Sequence, residues 1–121
     1  MFINTKFSLS DKTKAALHKL KPQFGFNGFG EAVYYRTYSR KKANGQQESW
    51  ADTVIRVIQG IMEIRKQHYI NNHLEWDDDH WQKYASEMAI SMFKMEWLPP
   101  GRGLQFCGTD NVRQRGSAFL F

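Results

Sequence analysis

The chain has 121 residues, of which 41% are hydrophobic, 15% aromatic and 24% charged, values that suit one small globular domain and exclude disordered, collagen-like and coiled-coil chains. Its 17 Lys and Arg against 12 Asp and Glu give a net charge of +5, which favours anionic partners such as nucleotides or nucleic acid. The single cysteine, Cys107, excludes an internal disulfide and a cysteine-based metal cluster and favours a reducing compartment, the cytoplasm.

The first half of the chain predicts one short helix and several irregular segments. A helix is predicted at residues 11–21, because Ser10 offers an N-cap. Residues 24–30 alternate phenylalanine and glycine, which predicts a loop anchored by its rings. Residues 31–40 are rich in types typical of strands, although no clean period separates a strand from a short helix there. The polar, Asn-Gly-containing residues 41–47 predict a linker.

Two long amphipathic helices follow. Ser49 can cap a helix of residues 50–69, whose apolar residues recur at a spacing of three and four. A second helix begins near the aspartates at 77–79, which suit the positive end of a helix, and is predicted to run until Pro99 and Pro100 stop it. The predicted apolar faces consist of Trp50, Val54, Val57, Ile58, Ile61 and Ile64 in the first helix and Trp81, Tyr84, Ala85, Met88, Ala89, Met92 and Met95 in the second.

The last 21 residues change character. Residues 101–121 contain four glycines and three arginines, and they finish on the apolar residues 118–121. Such an ending predicts a strand of a buried sheet. The predicted fold is therefore mainly α, with a helical region at residues 1–100, and then a loop and the start of a strand at 101–121 whose sheet is supplied elsewhere. No apolar run approaches the roughly 20 residues of a membrane span, so no membrane partner is expected.

Polar clusters along the helices predict neither a metal site nor catalysis. His68, His73 and His80 lack the spacing that places two metal ligands on one helix face. The acidic residues 75–79 are accounted for by the unsatisfied N–H groups at a helix start. We therefore predict no metal ligand and no catalytic residue in this chain.

A basic and aromatic segment at residues 34–42 offers an alternative function. Rings that stack on bases and cations that meet phosphates are typical of a nucleic-acid surface. The same pattern arises at a solvated edge whose rings turn inward, so a basic helical nucleic-acid-binding module is kept only as the alternative. The cations are Arg36, Arg40, Lys41 and Lys42, and the rings are Tyr34, Tyr35 and Tyr38.

The most informative stretch is Leu-Pro-Pro-Gly-Arg-Gly-Leu at residues 98–104. Its glycines let backbone N–H groups approach an anion, Arg102 can pair with a phosphate, and Thr109 can donate a hydroxyl. The stretch lacks the Gly-Lys-Ser/Thr ending of a P-loop. Composition alone therefore favours a plain turn here.

Taken in order, several segments resemble the N-terminal region of adenosylcobalamin-dependent (class II) ribonucleotide reductases. They are Tyr-Arg-Thr-Tyr-Ser-Arg at 35–40, Glu-Ser-Trp-Ala-Asp-Thr-Val at 48–54, the stretch 98–104 and Gly-Thr-Asp at 108–110. The resemblance covers the chain from about residue 32 to the end, and residues 98–110 are its most specific part.

The resemblance implies a helical lead-in to a large α/β barrel in which cobalamin-initiated thiyl radical chemistry converts ribonucleotides to deoxyribonucleotides. Residues 1–100 would be the helical region, and residues 101–121 the loop and the truncated start of the first barrel strand. In the family, the segment after the proline pair helps to hold the phosphate end of the substrate. The substrate-binding residues implied here are Pro99, Pro100, Gly101, Arg102 and Ser117.

The resemblance also implies what the 121 residues do not contain. The redox pair of cysteines, the thiyl-forming cysteine and a cobalamin-binding segment are missing, and Cys107 is not at a position that the family uses catalytically. We therefore expect an N-terminal fragment that is inactive alone, binds no cofactor itself and depends on the remaining C-terminal barrel. Adenosylcobalamin would serve the complete cytoplasmic enzyme, and a ribonucleotide would be its substrate.

Overall fold

Helices form the regular structure of the residues that the computed structural model describes, namely 6–22, 29–99, Leu104 and Gly108. Within these residues the only strand-like pairing is an isolated antiparallel bridge between Lys41 and Gln47. None of the described helices combines the length and apolar character needed to cross a bilayer. The elements are α1 (Asp11–Lys19), α2 (Phe29–Val33), a π-helical turn (Tyr34–Tyr38), α3 (Trp50–Asn71) and α4 (Asp78–Phe93).

Helix α1 confirms the first predicted helix. The Ser10 side chain accepts a hydrogen bond from the Thr13 N–H at 3.3 Å, and so caps the helix as expected. The helix ends at Lys19, two residues before the predicted end, because Leu20 is already extended. Leu17 is the residue of α1 that is fully buried.

The segment whose structure the sequence left open is helical. Helix α2 includes Phe29 and Gly30, so the predicted loop is wrong at these two positions, while residues 24–28 lie outside the described part of the chain. The following π-helical turn carries Tyr34 into the core, where its hydroxyl donates to the Ser49 carbonyl at 2.9 Å. This tertiary anchor, rather than local preference, accounts for helix in a strand-prone sequence.

Helix α3 confirms the strongest sequence prediction. Its N-terminus is a capping box, in which Ser49 Oγ accepts from the Asp52 N–H and an Asp52 carboxylate oxygen accepts from the Ser49 N–H. Its C-terminus closes with His73 in the left-handed conformation at φ 55°. The predicted apolar face is buried from Trp50 through Ile58, with Ile61 packed against its margin.

Helix α4 begins as predicted, with Asp77 as the N-cap, but it ends before its expected stop. The predicted end at Pro99 and Pro100 is wrong, since α4 finishes at Phe93. The Met95 N–H donates to Met92 O and the Glu96 N–H to Ser91 O, which is the Schellman pattern of helix termination. Met95, predicted on the helix face, is the left-handed residue of this motif at φ 63°.

The core lies where α3 and α4 pack along each other, with α1 across both. Trp50 is buried at the start of α3, and its indole N–H donates to the Phe93 carbonyl at the end of α4, at 3.0 Å. Met92 is fully buried and Met88 is partly buried, which confirms that the methionines of α4 are packing residues. The predicted strand at residues 118–121 lies outside the described residues.

Candidate functional site

The predicted substrate segment, residues 98–110, is described by the structure at four positions, Leu98, Pro99, Leu104 and Gly108. Pro99 is half-buried at the end of the stretch that follows α4. Leu104 is helical in backbone and only 7% exposed, so this point of the segment packs against the core. The remaining predicted substrate residues lie outside the described part of the chain; they are Pro100, Gly101, Arg102 and Ser117.

A buried carboxylate, Glu48, organises the region next to this segment. Its side chain forms a two-point ion pair with Arg56, with Arg56 Nε 2.9 Å from Glu48 Oε2 and Arg56 Nη2 3.1 Å from Oε1. Oε1 also accepts from Thr53 Oγ1 and from the Arg40 backbone N–H, each at 3.0 Å. The carboxylate therefore has a donor from α3, a donor from the preceding loop and a matched countercharge, which is what a buried charge requires.

Arg56 extends this network to the substrate segment. Its Nη2 also donates to the Leu104 carbonyl at 2.8 Å. Its backbone carbonyl lies directly against Gly108, which has a φ of +81°. Two points of the predicted segment thus contact one residue in the first half of α3.

Sequence reasoning missed the role of Arg56. The motif at residues 48–54 includes Glu48 but ends before Arg56. The sequence does contain one indication of this role, because Arg56 lies between the apolar pairs 54–55 and 57–58 of a helix that packs in the core. A charged residue in such a position needs a buried partner, but the sequence alone does not say which carboxylate supplies it.

The tyrosines of the alternative nucleic-acid surface point into the protein. Tyr34 is only 4% exposed, and Tyr35 and Tyr38 pack partly against the core. Burial raises the pKa of the Tyr34 hydroxyl to about 12. Of the neighbouring cations, Lys42 lies 3.5 Å from the Asp52 carboxylate. The Tyr34 ring is therefore unavailable to stack on a base, whereas Tyr35 and Tyr38 keep part of their rings exposed.

Asp52, within the family-like motif, joins α1 to α3. One carboxylate oxygen lies 2.9 Å from His18 Nε2 and the other accepts from the Ser49 N–H at 3.0 Å. Partial burial acts to raise the pKa of Asp52, but the hydrogen bonds from His18 and Ser49 and the nearby charge of Lys42 outweigh it, so the pKa is lowered. The ionised form of Asp52 is therefore favoured by folding.

We expect Asp52→Asn to reduce the free energy of unfolding by about 1 kcal/mol at neutral pH, since asparagine keeps a cap acceptor but loses the charge. A lowered pKa in the folded state stabilises the protein above the unfolded-state value of about 3.9, and this contribution disappears as pH falls through the folded-state pKa. The difference between wild type and variant should thus shrink below about pH 4.

Urea denaturation of both proteins from pH 3 to pH 7 measures this difference. Glu75→Gln, at an exposed position in the turn between α3 and α4, serves as the control and should show a small difference at every pH. If the difference in the free energy of unfolding between wild type and Asp52→Asn stays constant from pH 3 to pH 7, the charge of Asp52 does not contribute to stability.

The described residues form a groove but no cluster of metal-binding side chains. Across the described ranges, no three His, Cys, Asp or Glu side chains come together as a metal site. A groove between α1 and α4, lined by Thr13, Ala16 and Ser86 among others, has a volume of about 380 Å³. This is at the lower end for a drug-sized ligand.

Comparisons with known proteins agree with one another. The family described as the ribonucleotide reductase alpha domain matches residues 9–109. The adenosylcobalamin-dependent ribonucleoside-triphosphate reductase of Euglena gracilis is 48% identical over 102 residues, which cover 84% of this chain and 14% of that protein. A probable adenosylcobalamin-dependent ribonucleoside-triphosphate reductase of Dictyostelium discoideum is 40% identical over 111 residues, covering 92% of this chain and 15% of that protein.

A solved structure shows the same similarity in three dimensions. The crystal structure of a B12-dependent (class II) ribonucleotide reductase matches with a TM-score of 0.77 and 26% sequence identity. The match covers 94% of this chain and 16% of that one. The chain thus spans about one seventh of the length of the proteins that it resembles.

Proposed function

This chain belongs to the ribonucleotide reductase alpha-domain family and corresponds to the N-terminal region of adenosylcobalamin-dependent, class II reductases, and on that basis we propose that it works within a complete reductase that converts ribonucleoside triphosphates to deoxyribonucleotides. The 48% identity to a relative named for this activity is the observation that carries the proposal. The choice of triphosphate follows the names of the relatives.

Within that enzyme, we propose that the segment after α4 holds the phosphate end of the substrate. Pro99, Pro100, Gly101 and Arg102 would line this end, and Ser117 would add a hydroxyl. An arginine guanidinium can donate two parallel hydrogen bonds to a phosphate, and glycines allow backbone N–H groups to approach it. The anchoring of Leu104 and Gly108 to α3 supports a defined position for this segment.

The remainder of the barrel is the proposed partner. Residues 1–100 would be the helical region, and residues 101–121 would lead through a loop into the first barrel strand. The apolar residues 118–121 support a strand buried on both faces by neighbours that this stretch does not supply. Adenosylcobalamin is proposed as the cofactor of the complete enzyme, bound outside this region, and the cytoplasm as its compartment.

We expect Arg102→Gln to raise the KM of the complete reductase for CTP by about tenfold or more, since a charged hydrogen bond to phosphate is worth about 1.5–3 kcal/mol. The same charge change at Arg36, which is exposed on the π-helical turn, is the matched control and should leave KM unchanged. Steady-state kinetics of both variants, with CTP and with CDP as substrate, would measure the change in KM. An unchanged KM in Arg102→Gln would contradict its role in phosphate binding.

A further inference from the structure

Among the residues that the structure describes, two contacts connect the first half of α3 to the proposed phosphate segment, and both involve Arg56. The guanidinium donates to the Leu104 carbonyl at 2.8 Å. Four residues further along the chain, a Cβ atom at Gly108 would lie 2.5 Å from the Arg56 carbonyl oxygen and 2.8 Å from its Cγ. The segment therefore approaches Arg56 so closely at Gly108 that any side chain there would collide with α3 backbone.

The Arg56 side chain is fixed on its other side. Its ion pair with Glu48 is only 13% exposed at the arginine and 9% at the glutamate. Glu48 is itself held by Thr53 and by the backbone of Arg40. The ion pair thus fixes the orientation of the planar guanidinium group. In this orientation Nη2 donates one hydrogen bond to Glu48 and another to the Leu104 carbonyl.

We propose that Arg56, oriented by Glu48, is a positioning residue for the phosphate-binding segment. This inference rests on the proposed function of residues 98–110. Arg102 precedes Leu104 by two residues, and a chain advances at most about 3.5 Å per residue, so an anchor at Leu104 restricts where Arg102 can lie. A binding group held in place before the substrate arrives avoids the entropic cost of ordering it on binding.

A purely structural role for the ion pair would have different consequences. If Arg56 only stabilised α3, its loss would weaken the whole helical region without a separate effect on the segment. A positioning role requires that the segment lose its anchor while α3 stays intact. The conservative substitution Arg56→Lys separates these cases, because lysine keeps the charge opposite Glu48 but lacks the planar fork that reaches two acceptors at once.

Amide hydrogen exchange on the full chain tests the anchoring. In Arg56→Lys and in Gly108→Ala, we expect peptides that contain Leu104 and Gly108 to exchange on the order of tenfold faster, since one anchoring contact is lost. Peptides from α3 should exchange as in the wild type. Measuring both variants keeps the test valid if the alanine variant alone fails to fold.

The chain offers a matched control for each variant. Arg65 lies on the same helix, with its guanidinium 5.0 Å from the Trp81 ring, so Arg65→Lys repeats the chemistry away from the segment. Gly45 has a φ of +85°, and a Cβ atom added there would meet nothing within 4 Å, so Gly45→Ala repeats the backbone strain without the collision. Neither control should alter exchange at Leu104 and Gly108.

Steady-state kinetics of the complete reductase with CTP tests the functional consequence. We expect Arg56→Lys and Gly108→Ala to raise KM several-fold more than they lower kcat, a separation that general destabilisation would not produce. Unchanged exchange at Leu104 and Gly108 in both variants would overturn the anchoring, whatever the segment binds. Faster exchange with an unchanged KM would overturn the positioning role of Arg56 if Arg102→Gln still raises KM, and would overturn the assignment of the segment to phosphate if Arg102→Gln leaves KM unchanged as well.

Discussion

Glu48→Gln should lower the free energy of unfolding of this chain by about 3 kcal/mol, because it removes the carboxylate that forms a two-point ion pair with the largely buried Arg56 guanidinium. Glutamine has nearly the same shape, so packing is retained, and the loss reports the charge together with the one acceptor oxygen that becomes an amide NH2. The carboxylate serves four donor groups, from Arg56, Thr53 and the Arg40 backbone. Glu48 is only 7% exposed and accepts four hydrogen bonds through its carboxylate.

Urea denaturation at neutral pH measures this loss, with Glu87→Gln as the control. Glu87 is exposed on α4, and the same substitution there should change stability by no more than about 0.5 kcal/mol. The double variant Glu48→Gln/Arg56→Met should recover part of the loss, since removing both charges leaves no unpaired ion in the core. A single variant as stable as the wild type would show that the pair contributes nothing to folding.

The two long helices were predictable because their apolar residues follow the helical period and their starts carry strong caps. Ser49 caps α3 as the sequence indicated, and α4 begins at the predicted aspartates, with Asp77 as its cap. Each cap is a local interaction between residues three apart, so the relevant information is contiguous in the chain. The burial of the Trp50 face follows from the same local pattern.

The predictions of secondary structure were incomplete or wrong where contacts between distant residues, or an unusual helix end, determine the local structure. Tyr34 lies in a segment typical of strands, yet its ring enters the core and its hydroxyl donates to the Ser49 carbonyl. Helix α4 ends on a Schellman motif whose left-handed residue is Met95 rather than the glycine that usually marks such an end. The proline pair was the more visible stop signal, and it lies beyond the actual one.

The candidate site was only partly predictable for the same reason. The sequence indicated residues 98–110 as a candidate site because their glycines and Arg102 are residue types that can bind a phosphate. The support beneath that segment comes from Arg56, which is 48 residues from Leu104 along the chain. No periodic or spaced pattern links two such positions, and only the fold shows that they meet.

The second prediction is a complete loss of catalytic turnover when these 121 residues are separated from the rest of the reductase. These 121 residues alone should form no deoxyribonucleotide from any ribonucleotide in the presence of adenosylcobalamin. Removing the 2′-hydroxyl as water consumes two electrons, and a protein dithiol supplies them by becoming a disulfide. With Cys107 as the single cysteine, the chain can form no internal disulfide, and a third thiol for radical chemistry is also missing.

Product analysis after incubation with CTP, adenosylcobalamin and a dithiol reductant measures this outcome, with the complete reductase as the positive control. Cys107→Ser provides a further comparison, because it removes the only thiol of the chain. Deoxynucleotide formed by the wild-type chain and abolished in Cys107→Ser would contradict the prediction, since it would make Cys107 a reacting group. Product formed equally by both proteins would point to a contaminating reductase, because neither a redox pair nor a thiyl radical can arise in a chain without cysteine.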